Sequence, residues 1–129
     1  MSQKKILVVD DSVTMRQQVR IALERAGFAI TEAVDGQDAA EKIGAGFDGV
    51  VCDVHMPRMT GVEFVESTRT LPAREGVPIL MLTTEGSPDL IRRAKAAGAK
   101  GWIVKPFKPE VLVAAVQKLT GAAGKPSDG

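Results

Sequence analysis

The sequence predicts an α/β protein with a doubly wound, five-stranded parallel sheet flanked by five helices. Five short apolar runs alternate along the chain with five segments whose apolar residues recur at helical spacing. The apolar runs show little period-two alternation, which is typical of strands buried on both faces. Four of the five runs end abruptly in a polar group, and the carboxyl ends of parallel strands all lie on one edge of the sheet. The same pattern therefore predicts both a fold class and the position of a site.

The apolar runs that predict strands are bounded by Gly, Pro or polar residues. In chain order the runs cover residues 6–9, 28–34, 50–52, 78–83 and 101–104. The third run is followed at once by Asp53. Pro78 opens the fourth run at the first strand position, where a missing N–H is tolerated.

Start and stop signals predict a helix after each strand. The apolar stripe of the first helix consists of Met15, Val19, Ala22, Leu23 and Ala26. Gly27 ends this helix, and a second, short helix begins after Asp35 and buries Ala39, Ala40 and Ile43. Thr60 and Glu63 have the spacing of a capping box at the start of the third helix.

The last two helices carry proline at their first turn. Ser87 is the expected N-cap of the fourth helix, which runs from Pro88 to about Gly98. The fifth helix begins at Pro109, and its apolar stripe consists of Leu112, Ala115, Val116 and Leu119. The remaining residues show no pattern and are expected to form a loose tail.

Size and composition fit one compact domain in a reducing compartment. The 129 residues are 44% hydrophobic and 26% charged, which is typical of a globular protein. The net charge of +1 gives no field that favours nucleic acid or a membrane. The single cysteine, Cys52, lies in an apolar run and predicts a buried thiol. The amino terminus lacks a signal or membrane-spanning segment, so we expect a cytoplasmic protein.

Four strand ends carry side chains that can take part in catalysis or bind a ligand. These groups are Asp10 and Asp11, Asp53, Thr83, and Lys105. Each has an ordinary structural explanation, such as a helix cap, a turn former, a strand-end hydroxyl or a solvated lysine. Because parallel strands bring all of them to one edge, a shared site explains the set better than four separate coincidences.

The chemistry of this set favours a hard divalent cation and a phosphoryl group. Three carboxylates close together repel one another unless a cation neutralises them. Oxygen ligands without a His or Cys cluster favour Mg²⁺, or Mn²⁺ in its place. Asp53 then serves as a nucleophile that forms an acyl phosphate, while Thr83 and Lys105 hold phosphoryl oxygens.

Four motifs in chain order carry a family resemblance. They are Val9-Asp10-Asp11-Ser12, the Asp53 strand with Met56-Pro57 after it, Thr83, and Lys105-Pro106-Phe107. Together they resemble the receiver domain of two-component response regulators. The resemblance covers residues 4–120 and leaves residues 121–129 as a flexible tail. It implies the flavodoxin-like strand order 2-1-3-4-5.

The resemblance implies a phosphorylation switch rather than an enzyme acting on a separate substrate. A sensor histidine kinase donates a phosphoryl group to Asp53, with Mg²⁺ held by Asp11, Asp53 and the backbone carbonyl of His55. Asp10 acts on the metal through water. Lys105, beside a cis peptide bond to Pro106, binds the phosphoryl group.

The resemblance also implies how the signal leaves the site. Thr83 moves toward the phosphoryl group and Trp102 swings inward, although an indole stands where the family more often has Tyr or Phe. His55 and Glu85 occupy positions that tune dephosphorylation. The output surface is the face formed by the fourth helix, the fifth strand and the fifth helix. Its cations suggest either an acidic partner or a solvated surface, and they are Arg92, Arg93, Lys95, Lys100, Lys105 and Lys108.

The motif after the first strand and the solitary domain are most similar to the chemotaxis type. We expect a monomer whose partners are a histidine kinase, a downstream protein and a phosphatase, with no nucleic acid or membrane. A phosphorelay carrier and a receiver cut from a longer regulator are alternatives. A docking module that is never phosphorylated and an Asp-nucleophile phosphatase are weaker ones, because such phosphatases require a second Asp where this chain has His55.

Overall fold

A computed structural model describes residues 3–56, 59–84 and 88–121, and it has the predicted parallel sheet. The strands are β1 (Lys5–Val9), β2 (Ala29–Ala33), β3 (Gly49–Asp53), β4 (Ile79–Thr83) and β5 (Gly101–Val104). The helices are α1 (Val13–Arg25), α2 (Gly36–Lys42), α3 (Gly61–Thr68), α4 (Pro88–Ala96) and α5 (Pro109–Thr120). Two single 3₁₀ turns add Ile43–Ala45 and Pro72–Arg74. None of the helices described is both long and apolar enough to cross a membrane.

The strand order is β2-β1-β3-β4-β5, with every neighbouring pair parallel. This order confirms the predicted fold class. Because β1 and β3 are neighbours, the carboxyl ends that carry Asp10 and Asp53 lie side by side near the centre of the sheet. The carboxyl ends of β4 and β5 continue the same edge.

Helices cover both faces of the sheet, so the core has two halves. In β1, Leu7 and Val9 pack with residues of α2, α3 and α4, while Ile6 and Val8 pack with residues of α1 and α5. Alternate side chains of a strand point to opposite faces, and here both faces are apolar. This two-sided burial explains why the central strands are continuous apolar runs.

The expectation of two-sided burial is wrong for the edge strand β5. Its residues are only partly covered, and Val104 is 52% exposed. An edge strand has a neighbour on one side only, so its side chains lose part of the cover that central strands receive. The segment nevertheless forms a strand because it pairs in register with β4.

Helix boundaries follow the predicted signals with small shifts. Thr60 and Glu63 form the capping box of α3, with hydrogen bonds in both directions. The fourth helix ends at Ala96, two residues before the expected stop at Gly98. Ser87 and the tail from residue 122 onward lie outside the described residues.

The N-cap of α1 is Ser12, whose hydroxyl accepts a hydrogen bond from the N–H of Met15. The ordinary explanation of Asp10 or Asp11 from the sequence was a cap of this helix. Because Ser12 satisfies this helix end, neither carboxylate is used for capping. Both remain available to the site at the strand edge.

Candidate functional site

The strand-end groups meet at the carboxyl edge of the sheet. Lys105 Nζ lies 3.1 Å from Asp53 Oδ1 and 3.7 Å from Asp10 Oδ2. The side chain of Lys105 is only 11% exposed, so its ammonium group is held in the site and is not a solvated surface charge. The structure therefore brings together residues from β1, β3 and the end of β5.

Asp53 lies at the end of β3 and is 5% exposed. Its backbone is fixed by the surrounding elements, since Val54 N–H donates to Leu82 O and Gly61 N–H donates to Val54 O. A Cβ at Gly61 would lie 2.1 Å from Asp53 O, so only glycine allows α3 to approach this closely. The carboxylate thus projects from a backbone with little freedom to move.

Three carboxylates form a cluster suited to a hard cation. Asp10, Asp11 and Asp53 each offer an oxygen, and these oxygens lie within 4.8 Å of one another. Asp10 Oδ2 is fully buried and accepts no hydrogen bond from the described residues. A buried oxygen without a donor, together with two more carboxylates and no nitrogen or sulfur ligand in the cluster, fits Mg²⁺ or Mn²⁺.

The electrostatics of Asp10 show what this arrangement costs without a cation. Burial raises the pKa of Asp10, and the charges of Asp53 and Asp11 raise it further. The N–H of Ser12, which donates to Asp10 Oδ1, and the charge of Lys105 partly oppose this rise. The pKa of Asp10 is raised on balance, so added positive charge would stabilise the ionised site.

Cys52 is buried next to the site, as the sequence predicts. Burial raises the pKa of its thiol well above the ordinary value, and the charges of Asp53 and Asp10 add to that rise. The thiol therefore stays protonated and packs as a small apolar group.

Arg16 supports the site, and the sequence interpretation missed it. Its Nη1 donates to Asp10 O at 2.6 Å, and its Nε donates to Glu32 Oε1 at 2.9 Å. Glu32 also accepts a bond from Arg20 Nη1. The spacing of Arg16, Val19 and Leu23 on the buried face of α1 was the available signal, because it places the arginine on the apolar stripe.

The remaining predicted site residues lie at different depths. Thr83 ends β4 and is completely buried, and its carbonyl accepts a hydrogen bond from Lys105 N–H at 2.6 Å. The peptide bond between Lys105 and Pro106 is cis, as the family resemblance implies. His55 is exposed two residues beyond Asp53.

Two further sequence predictions concern Trp102 and Glu85. Trp102 lies on β5 and is half-buried, and its Nε1 is buried without a hydrogen-bond partner in the described part of the chain. Glu85 lies outside the described residues.

The cations expected on the output face are mostly exposed and partly paired. Arg92 pairs with Asp89 within α4, and Arg93 Nη2 lies 2.9 Å from Glu66 Oε1 on α3. Lys105 belongs to the site itself. These pairings favour the solvated-surface interpretation over an acidic docking site for the two arginines.

Comparisons with known proteins agree with this geometry. A model of the response regulator receiver domain matches residues 6–117. The chemotaxis protein CheY of Pseudomonas aeruginosa is 40% identical over 117 residues, covering 89% of this chain and 94% of that protein. The chemotaxis protein CheY1 of Helicobacter pylori is 39% identical over 120 residues, covering 91% and 97%. The solved chemotaxis protein CheY4 of Vibrio cholerae has a TM-score of 0.87 and 45% identity, covering 92% and 99%.

Proposed function

Because the chain belongs to the response regulator receiver domain family, in its CheY-type chemotaxis group, we propose that it is a switch phosphorylated on Asp53. The proposed receiver spans residues 4–120. The observation that carries the proposal is the contact of 3.1 Å between Lys105 Nζ and Asp53 Oδ1 beside the Asp10 and Asp11 carboxylates. A buried lysine and a carboxylate cluster at one strand end suit phosphoryl transfer better than a purely structural role.

Asp53 is the proposed nucleophile. One carboxylate oxygen attacks the phosphorus of a phosphohistidine in a kinase, and an acyl phosphate forms as the P–N bond breaks and its electron pair returns to the imidazole. In a separate hydrolysis step, water attacks the phosphorus, the P–O bond to Asp53 breaks, and free phosphate leaves with the Asp53 carboxylate restored. The chain thus promotes its own phosphorylation and dephosphorylation but transforms no separate substrate.

The acidic residues are proposed to hold Mg²⁺ or Mn²⁺. Asp11, Asp53 and the backbone carbonyl of His55 would bind the ion directly, and Asp10 would bind it through water. When bound, the ion supplies positive charge that stabilises the phosphoryl oxygens during transfer. The raised pKa of Asp10 supports this assignment, because it shows that the negative charge of this carboxylate is unfavourable in the site. A bound cation would offset that charge at neutral pH.

Lys105 and Thr83 are proposed to hold the phosphoryl group after transfer. The ammonium group of Lys105 already contacts Asp53 Oδ1, so it lies where an oxygen attached to that carboxylate would develop charge. The hydroxyl of Thr83 would donate to another phosphoryl oxygen. The hydrogen bond from Lys105 N–H to Thr83 O keeps these two residues in a fixed relation.

The output of the switch is proposed to pass from Thr83 to Trp102. Trp102 lies beside Met81 in the pairing of β4 with β5. Its buried Nε1 has no hydrogen-bond partner among the residues that the structure describes, so no such bond from them holds the indole in place. A shift of both residues would change the face formed by α4, β5 and α5. His55 and Glu85 would tune how long the phosphoryl group persists.

The proposed partners follow from the family. A sensor histidine kinase donates the phosphoryl group, a downstream protein binds the α4, β5 and α5 face, and a phosphatase resets the switch. We place the protein in the cytoplasm as a monomer in chemotaxis-type signalling.

The experiment that tests the switch is phosphorylation with a small donor followed by intact mass. The full chain is incubated with acetyl phosphate, with and without Mg²⁺. We expect the protein to gain the mass of one phosphoryl group, and only when Mg²⁺ is present. This gain should be absent in Asp53→Asn and should persist in the matched surface variant Asp89→Asn. A folded wild-type chain without this gain contradicts the switch. Turnover of a phosphate ester by many equivalents favours a hydrolase instead.

A further inference from the structure

A second charged site lies at the opposite edge of the sheet, where β4 and β5 begin. Here the turns after α3, the end of α4 and the end of α5 enclose a groove of about 940 Å³. Its charged lining residues in the described chain are Arg69, Arg74, Lys100, Lys118 and Glu75. Four cations thus face one carboxylate. We propose that this basic groove binds a small phosphorylated molecule with at least two negative charges and an apolar part.

The buried guanidinium of Arg74 is the first argument for an anion. Arg74 is 6% exposed, and its Nη2 donates to Ala97 O at 3.0 Å. Its Nε is buried and has no hydrogen-bond partner within the described segments. No carboxylate in residues 3–56, 59–84 and 88–121 lies within ion-pair distance of this side chain. A buried charge without a counter-charge is costly, and an anion in the groove would offset that cost.

Electrostatics at Arg74 point the same way. Burial lowers the pKa of its guanidinium, and the neighbouring charge of Arg69 lowers it further. The bond to Ala97 O places the side chain at the carboxyl end of α4, where a cation is favourable. That contact explains why the side chain of Arg74 lies at the end of α4. It uses only one of the five N–H donors of the guanidinium, and the carbonyl group carries no full negative charge.

The exposed cations of the groove are a second, independent argument. On α4, Arg92 pairs with Asp89 and Arg93 pairs with Glu66, as is usual for surface arginines. The groove cations Arg69, Lys100 and Lys118 make no ion pair with the described residues, and they converge on one concave surface. Like charges collected in a concavity raise the local concentration of anions.

Size and apolar lining indicate an organic phosphate rather than an inorganic ion alone. A groove of about 940 Å³ is at the upper end of the range for small-molecule sites, which is roughly 300–1,000 Å³. Its uncharged walls include Leu71, Pro72, Val77 and Leu119. A flat apolar group, such as the base of a nucleoside diphosphate, would contact these side chains while the phosphates face the cations.

The test is calorimetric titration of the full chain in metal-free buffer with three probes. ADP carries charge and a base, pyrophosphate carries charge alone, and adenosine carries a base alone. We expect one ADP per chain, weaker binding of pyrophosphate and no binding of adenosine. In NMR spectra, the backbone amide chemical shifts that change on addition of ADP should belong to residues 69–78 and 96–100. The Asp53→Asn variant should bind ADP with the same affinity as the wild type.

Charge-matched variants decide whether the groove is the site. Lys100→Gln and Lys118→Gln should each weaken ADP binding by about 2- to 5-fold, the size expected for an exposed charge. Glu75→Gln should strengthen it by a similar factor, a gain that misfolding cannot produce. Lys108 and Glu110 lie at the carboxyl edge of the sheet, away from the groove. The control variants Lys108→Gln and Glu110→Gln should therefore leave the affinity for ADP unchanged.

Three outcomes would overturn the proposal. They are no binding of either phosphate compound, amide shifts centred on the carboxyl edge of the sheet, and equal effects of the groove variants and their controls. An acidic peptide that binds the groove where ADP and pyrophosphate do not would also replace the small molecule with a protein partner.

Discussion

Replacing Gly61 with alanine should destabilise the protein and distort its phosphoryl site. The new Cβ would lie 2.1 Å from Asp53 O, 2.9 Å from Asp53 C and 3.0 Å from Met81 Cε. Ordinary contacts begin near 3.4 Å, so α3 must move away from β3 by roughly 1 Å, and two of the three blocking atoms are backbone. Overpacking of this kind costs about 1–3 kcal/mol. Against it stands a gain of about 0.4–1 kcal/mol from the less flexible unfolded chain.

The net loss expected for Gly61→Ala is about 1–2 kcal/mol, with a fall in Tm of roughly 4 °C for each kcal/mol. The matched control is Gly44→Ala, because a Cβ at Gly44 meets nothing within 4 Å. This control should be neutral or more stable by up to about 1 kcal/mol. Urea unfolding of both variants measures the difference. The Gly61 variant should also accept phosphoryl groups more slowly while folded, since the displaced atoms belong to Asp53. Equal stability of the two variants would refute the steric argument.

Three further predictions concern charge. Asp10→Asn should raise the metal-free free energy of unfolding at neutral pH, because burial raises the pKa of Asp10 above its ordinary 3.8. In urea unfolding, the difference from the wild type should shrink as pH falls through that raised pKa and be absent below 3.8. Mg²⁺ at ten times its dissociation constant should raise the free energy of unfolding of the wild type by about 1.4 kcal/mol, and the Asp10 variant should gain less in the same urea unfolding experiment. Glu32→Gln should destabilise at pH 7, since bonds from Arg20 and Arg16 hold the pKa of Glu32 below its ordinary 4.5; this contribution is lost as pH falls through that depressed pKa, so variant and wild type should converge in acid.

Much of the fold could be predicted because its signals are local. The continuous apolar runs of the central strands predict burial on both faces, and parallel pairing then fixes which ends share an edge. That rule is enough to place Asp53 and Lys105 on the same edge of the sheet, although they are 52 positions apart in the chain. The strand order came from the family resemblance, because the apolar pattern does not say which strands are neighbours.

The remaining features depend on contacts between residues that are distant in the sequence, and no local sequence pattern predicts such contacts. Arg16 lies on the apolar stripe of α1, but only the fold shows that Asp10 O and Glu32 receive its donors. The choice of Ser12 as the cap of α1 depends on a backbone turn that Asp10 or Asp11 could equally have made. The groove around Arg74 is formed by the turns after α3 and by the ends of α4 and α5, which are distant in sequence, so its charge appears only once the chain is folded.

The most direct test of the proposed switch is to identify the residue that carries the acyl phosphate. The full chain is phosphorylated with acetyl phosphate and Mg²⁺, reduced with borohydride to convert an acyl phosphate into homoserine, and mapped by peptide mass spectrometry. We expect homoserine at position 53 alone, and none when Mg²⁺ is omitted. Homoserine at Asp10 or Asp11, or phosphorylation of a folded Asp53→Asn variant at one site, would contradict it.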